Sequence, residues 1–516
     1  MTSAQNSTHH KSSSLKNLLV VVVVSAALGL IANLLFFDKA PGVSFPIFTI
    51  LALAGLFLVA KQQNYVVPRT ALYMVPPLLF FSSMVFVRAN ETLAFCNIVL
   101  TLYLFTLLVR LTARPRLGSY VLRDYLRMVL EMPIDALGRV GETFRGLIGQ
   151  RAFLRKHKAI PQVVRGVLIA VPVLLIFVGL FASADLVFRG YVDNLFSFEV
   201  NDELVGRAVF FLVAMAAFVG LLGLIGRKPQ EPPASGIQAA GGDATPKGVV
   251  ETAILFGSLN ALFFCFIAVQ LAYLFGGADN VIHGNFTYAE YARKGFFELI
   301  AAAGLSFLLV LVADRSLLRR AGQHALSFKV LSGALIVQVL IIMVSAFKRL
   351  QLYEGAYGFT SDRLFGHVFI IWLAIVLAVL LYKILAEKRE HVLAFALFVS
   401  VLLFVGSLNA INIDGFVARQ NIARYNSTGK LDVQYLQVLS ADAIPQVAKL
   451  LDAKDAKLRG KVAGLLYQER QELLAHPSAW QSSNLARSKA LHILGEKAAL
   501  LKAHAQEAPS SYPYTP

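Results

Sequence analysis

Long apolar runs separated by short polar breaks dominate this chain. A hydrocarbon layer about 30 Å thick takes roughly 20 apolar residues in a helix to cross. Eleven segments meet that requirement, near residues 17–37, 43–60, 70–87, 92–111, 162–182, 204–226, 250–275, 295–313, 330–347, 366–385 and 392–411. The pattern predicts an all-α polytopic membrane protein of about eleven transmembrane helices. Lys11 and Lys16 precede the first run in the manner of a signal peptide. That run is longer than a signal core and lacks a small-residue cleavage site, so it reads as a retained helix.

The polar breaks divide the chain. Residues 1–16 form a polar leader expected to be disordered, and 17–111 a four-helix membrane region. A long basic loop over 112–161 leads to two further spans within 162–226. Residues 227–248, beginning Arg-Lys-Pro-Gln-Glu-Pro-Pro and continuing through Gly241 and Gly242, have the composition of a flexible linker. A five-helix region follows over 249–411. Residues 412–505 hold helix-forming stretches at 441–453 and 486–504 without another span, which predicts a small helical domain, and 506–516 read as a disordered tail.

Composition agrees with the pattern: 57% of residues are hydrophobic and 15% charged, and the mean hydropathy is +0.64, which excludes an ordinary soluble domain. The net charge of +17 would suggest nucleic acid in a soluble protein. Its placement says otherwise. With the N-terminus in the cytoplasm, the inner side carries 26 Lys and Arg, the outer side nine, and the tail after residue 411 the other 13. That bias orients the N-terminus inward and, with eleven spans, the C-terminal domain outward. Within the basic loop, Leu126, Val129, Leu137, Val140, Phe144, Leu147 and Ile148 recur at helical spacing among arginines. This is the pattern of an interfacial helix on anionic headgroups, so membrane lipids are the expected partners and no nucleic acid is needed.

The chemistry-bearing motifs are mostly missing. There is no phosphate-binding glycine loop, dinucleotide fingerprint, H-E-x-x-H or G-x-S-x-G. Cys96 and Cys265 lie in apolar runs without metal or redox spacing, and the histidines are scattered. No cofactor and no metal is therefore expected. Inside the spans the deep polar residues Asn97, Asn260, Gln270 and Gln338 are neutral and read as hydrogen-bonding glue between helices. No deep Asp, Glu, Lys or Arg is expected, which argues against a midplane carboxylate relay.

Charge gathers instead at the predicted outer ends of the last five spans. Arg293, Lys348, Arg349, Arg363 and Arg419 there accompany Glu290, Glu298, Glu354, Asp362 and Asp414, with Tyr273, Tyr288, Tyr291, Tyr353 and Tyr357 around them. Arginine forks suit phosphate or carboxylate and tyrosine supplies stacking and a hydroxyl, so the set fits an anionic or lipid-linked ligand. The same charges could equally pair with one another as a clasp between helix ends. If the chain were an enzyme, Glu298 or Asp414 would be the catalytic carboxylate.

Five ordered motifs carry a family resemblance. They are Phe256-Gly-Ser-Leu-Asn-Ala-Leu-Phe263 with Val269 to Gly277, Tyr291-Ala-Arg-Lys-Gly-Phe-Phe-Glu298, Ser345 to Arg363, Asp414-Gly-Phe-Val-Ala-Arg-Gln-Asn421, and Leu431-Asp-Val-Gln-Tyr-Leu436 with Ser440-Ala-Asp-Ala-Ile-Pro445. Over roughly 165–450 the chain resembles a bacterial polytopic membrane family catalogued as domain of unknown function 4173, with a sister group numbered 4153. Lys294 and Phe359 depart from the expected arginine and smaller residue. The resemblance implies an integral protein of the bacterial cytoplasmic membrane and brings no activity, substrate or cofactor. The expected function is accordingly ligand binding or transport at the outer-face site. A membrane-embedded transferase on a lipid-linked substrate, and a sensor or assembly factor coupling the outer domain to the basic loop, are the alternatives.

Overall fold

A computed structural model describes residues 2–113, 117–126, 202–225, 249–275, 296–317, 325–477 and 479–507, with isolated positions between 128 and 142. The described residues contain helices and no strand. The membrane region comprises α1 (Thr2–Phe36), α2 (Ser44–Gln62), α3 (Arg69–Leu72), α4 (Val75–Val87), α5 (Glu91–Ala113), α6 (Asp202–Leu222), α7 (Val249–Phe275), α8 (Phe296–Leu317), α9 (Ala325–Tyr357), α10 (Ser361–Leu385) and α11 (Glu390–Ile411).

Among the described residues, seven stretches are long and apolar enough to cross a membrane: Lys16–Phe36, Ser44–Gln62, Arg69–Val87, Glu91–Thr112, Leu326–Tyr357, Ser361–Leu385 and Glu390–Ile411. Shorter apolar helices occupy Gly206–Leu222, Ala253–Val269 and Leu299–Asp314. The fifth expected span, at 162–182, lies outside the described residues, as do most of the basic loop and the 227–248 linker. The polar leader continues the first helix, since α1 begins at Thr2.

Two apolar cores fill the bundle. One joins α1, α2, α4 and α5 to Tyr120, Tyr125 and Met128. The other joins α7 to α10 through residues such as Phe256, Val310, Val339 and Leu377. α11 joins the two, with Ala394, Phe398 and Val405 in the first core and Leu393 in the second. Tyr125 stacks on Phe398 with centroids 5.4 Å apart, which holds α11 against the N-terminal half.

Near the ends of two helices the packing buries a pair of charges that the reading of the deep residues did not cover. Asp314 in α8 and Lys383 in α10 form an ion pair with both side chains only 3% exposed. Asp314 falls one residue beyond the expected eighth span, and only the packing of α8 on α10 reveals that both charges are interior. Two of the four neutral residues expected as glue bond between helices: Asn97 and Asn409 exchange hydrogen bonds of 2.9 and 2.8 Å, and Asn260 Nδ2 donates to the Phe256 and Leu331 carbonyls, whereas Gln338 Oε1 is buried with no hydrogen-bond partner among the described residues.

After α11 the chain turns at Asn412, whose left-handed φ of 56° ends one helix while its side chain caps the next. It continues through α12 (Ile413–Thr428), α13 (Ile444–Val447), α14 (Ala456–Ala475), α15 (Leu485–Glu496) and α16 (Ala498–Ala503). Val417, Leu436, Ile444, Val462, Leu466 and Leu494 form a third core, which reaches Leu93, Leu364 and Leu408 at the helix ends below. The docking is specific. Val43 N donates to the Ser483 carbonyl at 2.9 Å, Ser482 Oγ to Ala40 O at 2.7 Å, and Asn484 Nδ2 to Arg88 O at 2.8 Å. A Cβ on Gly42 would lie 2.5 Å from this backbone, so only glycine fits there. The 38–43 turn, the 88–90 turn, the 358–360 turn and the α11 exit thus share one face, which the C-terminal helices cover.

Candidate functional site

Asp414 organises that face. It lies in the first turn of α12, fixed by Asn412 Oδ1, which accepts from Gly415 N at 3.3 Å. Its Oδ1 accepts from Ser361 Oγ at 2.8 Å. Its Oδ2 accepts from Asn90 Nδ2 at 2.9 Å and Ser440 N at 3.2 Å. One buried carboxylate therefore ties the 88–90 turn, the start of α10 and the 440 turn to α12. Three donors occupy its two oxygens, which makes it a structural junction.

Asp442 makes a parallel junction beside it, accepting from Ala89 N at 2.6 Å and pairing with Arg88 Nη1 at 3.4 Å. Burial raises its carboxyl above the ordinary range, against the opposing pull of Ala89 N and Arg88. Arg88 also donates to the Asn409 carbonyl at 3.0 and 2.6 Å. Tyr435 OH accepts from Ser361 N at 2.8 Å, and burial raises its phenol.

Above these residues opens a cavity of about 550 Å³ between the helix ends and the C-terminal helices. Asn90, Ser361, Asp414, Tyr435 and Ser440 contribute to its lining from below. Glu91, Asp362, Glu469, Glu472, His476 and Arg487 complete it from α5, α10, α14, the residue following α14, and α15. Asp455 caps α14 and Asn484 caps α15, accepting from Arg487 N at 3.2 Å, so the rim side chains stand on fixed backbone. Burial, then the neighbouring Glu472, raises the Glu469 carboxyl, while Arg487 lowers it. Five carboxylates against one arginine and one histidine give the cavity an acidic character.

The residues expected from sequence separate into three groups. Asp414 lines this cavity, as does Asp362. Arg293 and Tyr291 lie outside the described residues, and Glu298 is placed in the first turn of α8 without a described side chain. The remainder lie at the end of α9 and nearby, outside the cavity. Arg363 stacks on Tyr353 at 4.3 Å and donates to the Gly358 carbonyl. Tyr353 and Tyr357 meet at 4.9 Å, as their spacing predicts. Arg419 lies over Phe416 at 5.3 Å. Glu354 is buried against His367 Nδ1 at 3.3 Å, a partner not expected for it. Arg349 is buried and Lys348 exposed on α9. Of the expected cluster of cations and carboxylates ringed by tyrosines, Asp362 and Asp414 are the members among the described residues that line the cavity.

Sequence reasoning missed Arg88, Asn90, Glu469, Glu472 and Arg487. The polar triplet Arg88-Ala-Asn90 between two apolar runs was the available signal. Nothing in α14 or α15 distinguished its cavity-facing residues from a solvated helix face. Among the described residues no group of three His, Cys, Asp or Glu is arranged to hold a metal.

The chain belongs to a family described as a domain of unknown function, DUF4153, which matches residues 75–450. This is the sister group of the resemblance noted from sequence, and the match starts at α4 and runs through Asp414 and Asp442. No curated protein and no solved structure matches the chain.

Proposed function

We propose that this member of the DUF4153 family is a multi-pass protein of the bacterial inner membrane that binds a positively charged ligand in the cavity above Asp414. The acidic lining of that roughly 550 Å³ cavity carries the reading. A site with an excess of carboxylates raises the local concentration of cations and disfavours anions. The ligand class is thus a polyamine, an aminated sugar or a basic peptide segment, in place of the anionic ligand suggested by the arginines. The bias of Lys and Arg supports an N-terminus in the cytoplasm and C-terminal helices outside. The role is binding, for transport or sensing, and no catalytic step is assigned, because Asp414 is held by three donors.

The test is thermal unfolding of the purified full-length protein with spermidine, glucosamine and a short lysine peptide, against inorganic phosphate. A ligand at about a hundred times its Kd adds roughly 2.7 kcal/mol to stability. A cationic probe should raise the Tm, and Glu469→Gln with Glu472→Gln should abolish that rise without lowering the Tm of the free protein. Stabilisation by phosphate alone, or a cation effect indifferent to both substitutions, would overturn the reading.

A further inference from the structure

We propose that the connection between α14 and α15 is an interfacial anchor, with Trp480 and Leu485 seated among lipid headgroups beside the ends of α1, α2 and α4. Three contacts set its depth. Ser482 Oγ donates to Ala40 O at 2.7 Å and Ser483 O accepts from Val43 N at 2.9 Å, both within the turn that joins the spanning stretches Lys16–Phe36 and Ser44–Gln62. Asn484 Nδ2 reaches further, to the Val85 carbonyl at 3.3 Å in the last turn of α4. The segment therefore lies where the apolar helices end. Trp480 and Leu485 flank these contacts and remain 60% and 48% exposed. Two residues reach at most about 7 Å along the chain, so the Trp480 backbone stands beside the 40–43 turn, and Leu485 adjoins Asn484 directly.

The sequence supports this placement. Pro477 to Ala486 contains no charged residue, whereas Glu469, Arg470 and Glu472 precede it and Arg487 and Lys489 follow. Ionised groups are costly to bring among acyl chains, and tryptophan favours the boundary, where its ring meets hydrocarbon and its N–H meets headgroup oxygens. The other tryptophan is placed differently. Trp372 in α10 donates Nε1–H to Ser400 Oγ at 3.1 Å and lies 5.3 Å from the Phe404 ring, so it packs helix on helix. A lipid surface is the partner that fits Trp480 and Leu485, because the apolar exposure continues onto the spans themselves: Leu34 in the last turn of α1 and Ile47 in the first turn of α2 are exposed too. The connection begins at His476, which with Glu472 lines the cavity, so the anchor holds that rim at the membrane surface.

The experiment follows Trp480 alone, in full-length protein carrying Trp372→Phe and reconstituted in vesicles of phosphatidylethanolamine and phosphatidylglycerol. The chain holds two tryptophans, so the emission then comes from one site. Lipids brominated near the carbonyl end of the acyl chain should quench it several-fold more than lipids brominated near the methyl end. Acrylamide on both sides of the vesicle should quench it several-fold less than it quenches free tryptophanamide. Leu485→Trp, in protein lacking both native tryptophans, should repeat the pattern. Should Trp372→Phe fail to fold, subtracting the emission of Trp480→Phe from that of the unmodified protein isolates the same signal. Quenching by acrylamide without quenching by brominated lipid would overturn the anchor and return the segment to bulk water. Stronger quenching from the deeper bromines would overturn its placement at the headgroup boundary. Shielding from both kinds of quencher would put protein on the patch and overturn the lipid assignment.

Discussion

Asn90 Nδ2 donates to Asp414 Oδ2 over 2.9 Å, joining residues 324 positions apart in the chain. The contact fixes the mouth of α5 to α12, and with Ser361 and Ser440 it makes Asp414 a junction between membrane helices and C-terminal helices. Asp414→Asn would turn an amide N–H toward at least one of three donors. We expect a loss of about 1–3 kcal/mol, the cost of leaving buried groups unsatisfied. The readout is a lower Tm together with faster proteolysis between α11 and α14. A variant with unchanged stability and lost ligand response would instead make Asp414 a direct ligand contact.

The Asp314–Lys383 pair is buried on both sides, and Asp314 Oδ1 has no hydrogen-bond partner among the described residues. Removing one charge strands the other, whereas replacing both with apolar groups of similar size removes the desolvation cost as well. Lys383→Met alone should therefore lower stability by roughly 3–5 kcal/mol, and Asp314→Leu with Lys383→Met should recover most of it. Thermal unfolding of the three proteins in one detergent checks this double-mutant cycle. A double variant no better than the single one would show that the pair positions α8 against α10 through its geometry.

Gly358 and Gly429 both adopt left-handed backbone, with φ of 89° and 69°. They differ in surroundings. A Cβ on Gly358 would lie 2.9 Å from Asn421 Oδ1, while nothing lies within 4 Å of one on Gly429. Asn421 holds the α9–α10 turn by accepting from Phe359 N and donating to Phe359 O, each at 2.8 Å. Gly429→Ala should cost about 1 kcal/mol from conformation alone. Gly358→Ala should cost clearly more, because it also disturbs the Asn421 bridge. Comparing the two midpoints of thermal unfolding separates the steric part from the conformational part.

The membrane helices were legible because each span writes its own apolar run, independent of its neighbours. Tyr353 and Tyr357 were legible for the same reason, since their spacing on one helix already places them together. The cavity was not legible. Its walls come from α5, α10, α12, α14 and α15, and no local period marks Glu469 or Arg487 as facing Asp414. The interior charges escaped for a related reason: Asp314 and Lys383 each look like an end-of-helix residue until α8 packs on α10. The arginines drew attention as an anion site because sequence shows charge type but not partner. Arg363 on Tyr353 and Arg419 on Phe416 show how local aromatic faces can engage a guanidinium.

Acidity should act on the cavity in two opposite directions. Burial and Glu472 raise Glu469 above its ordinary value of 4.5, so in the window between that value and the raised one the folded protein binds more protons than the unfolded chain. Stability must then increase as pH falls through the raised value, and level off below the ordinary one. Asp442, raised by burial from 3.8, adds in the same sense. A cationic ligand has the reverse requirement, since it needs Glu469 ionised. Lowering the pH from above the raised Glu469 value toward the ordinary 4.5 should thus stabilise the free protein around α14 while weakening spermidine binding. Glu469→Gln should flatten the upper part of the stability profile. Trp480 reports on these helices once Trp372, the other tryptophan, is replaced by Phe. If spermidine binding strengthened on acidification, the acidic wall would not be what holds the ligand, and Arg487 and His476 would become the groups to test.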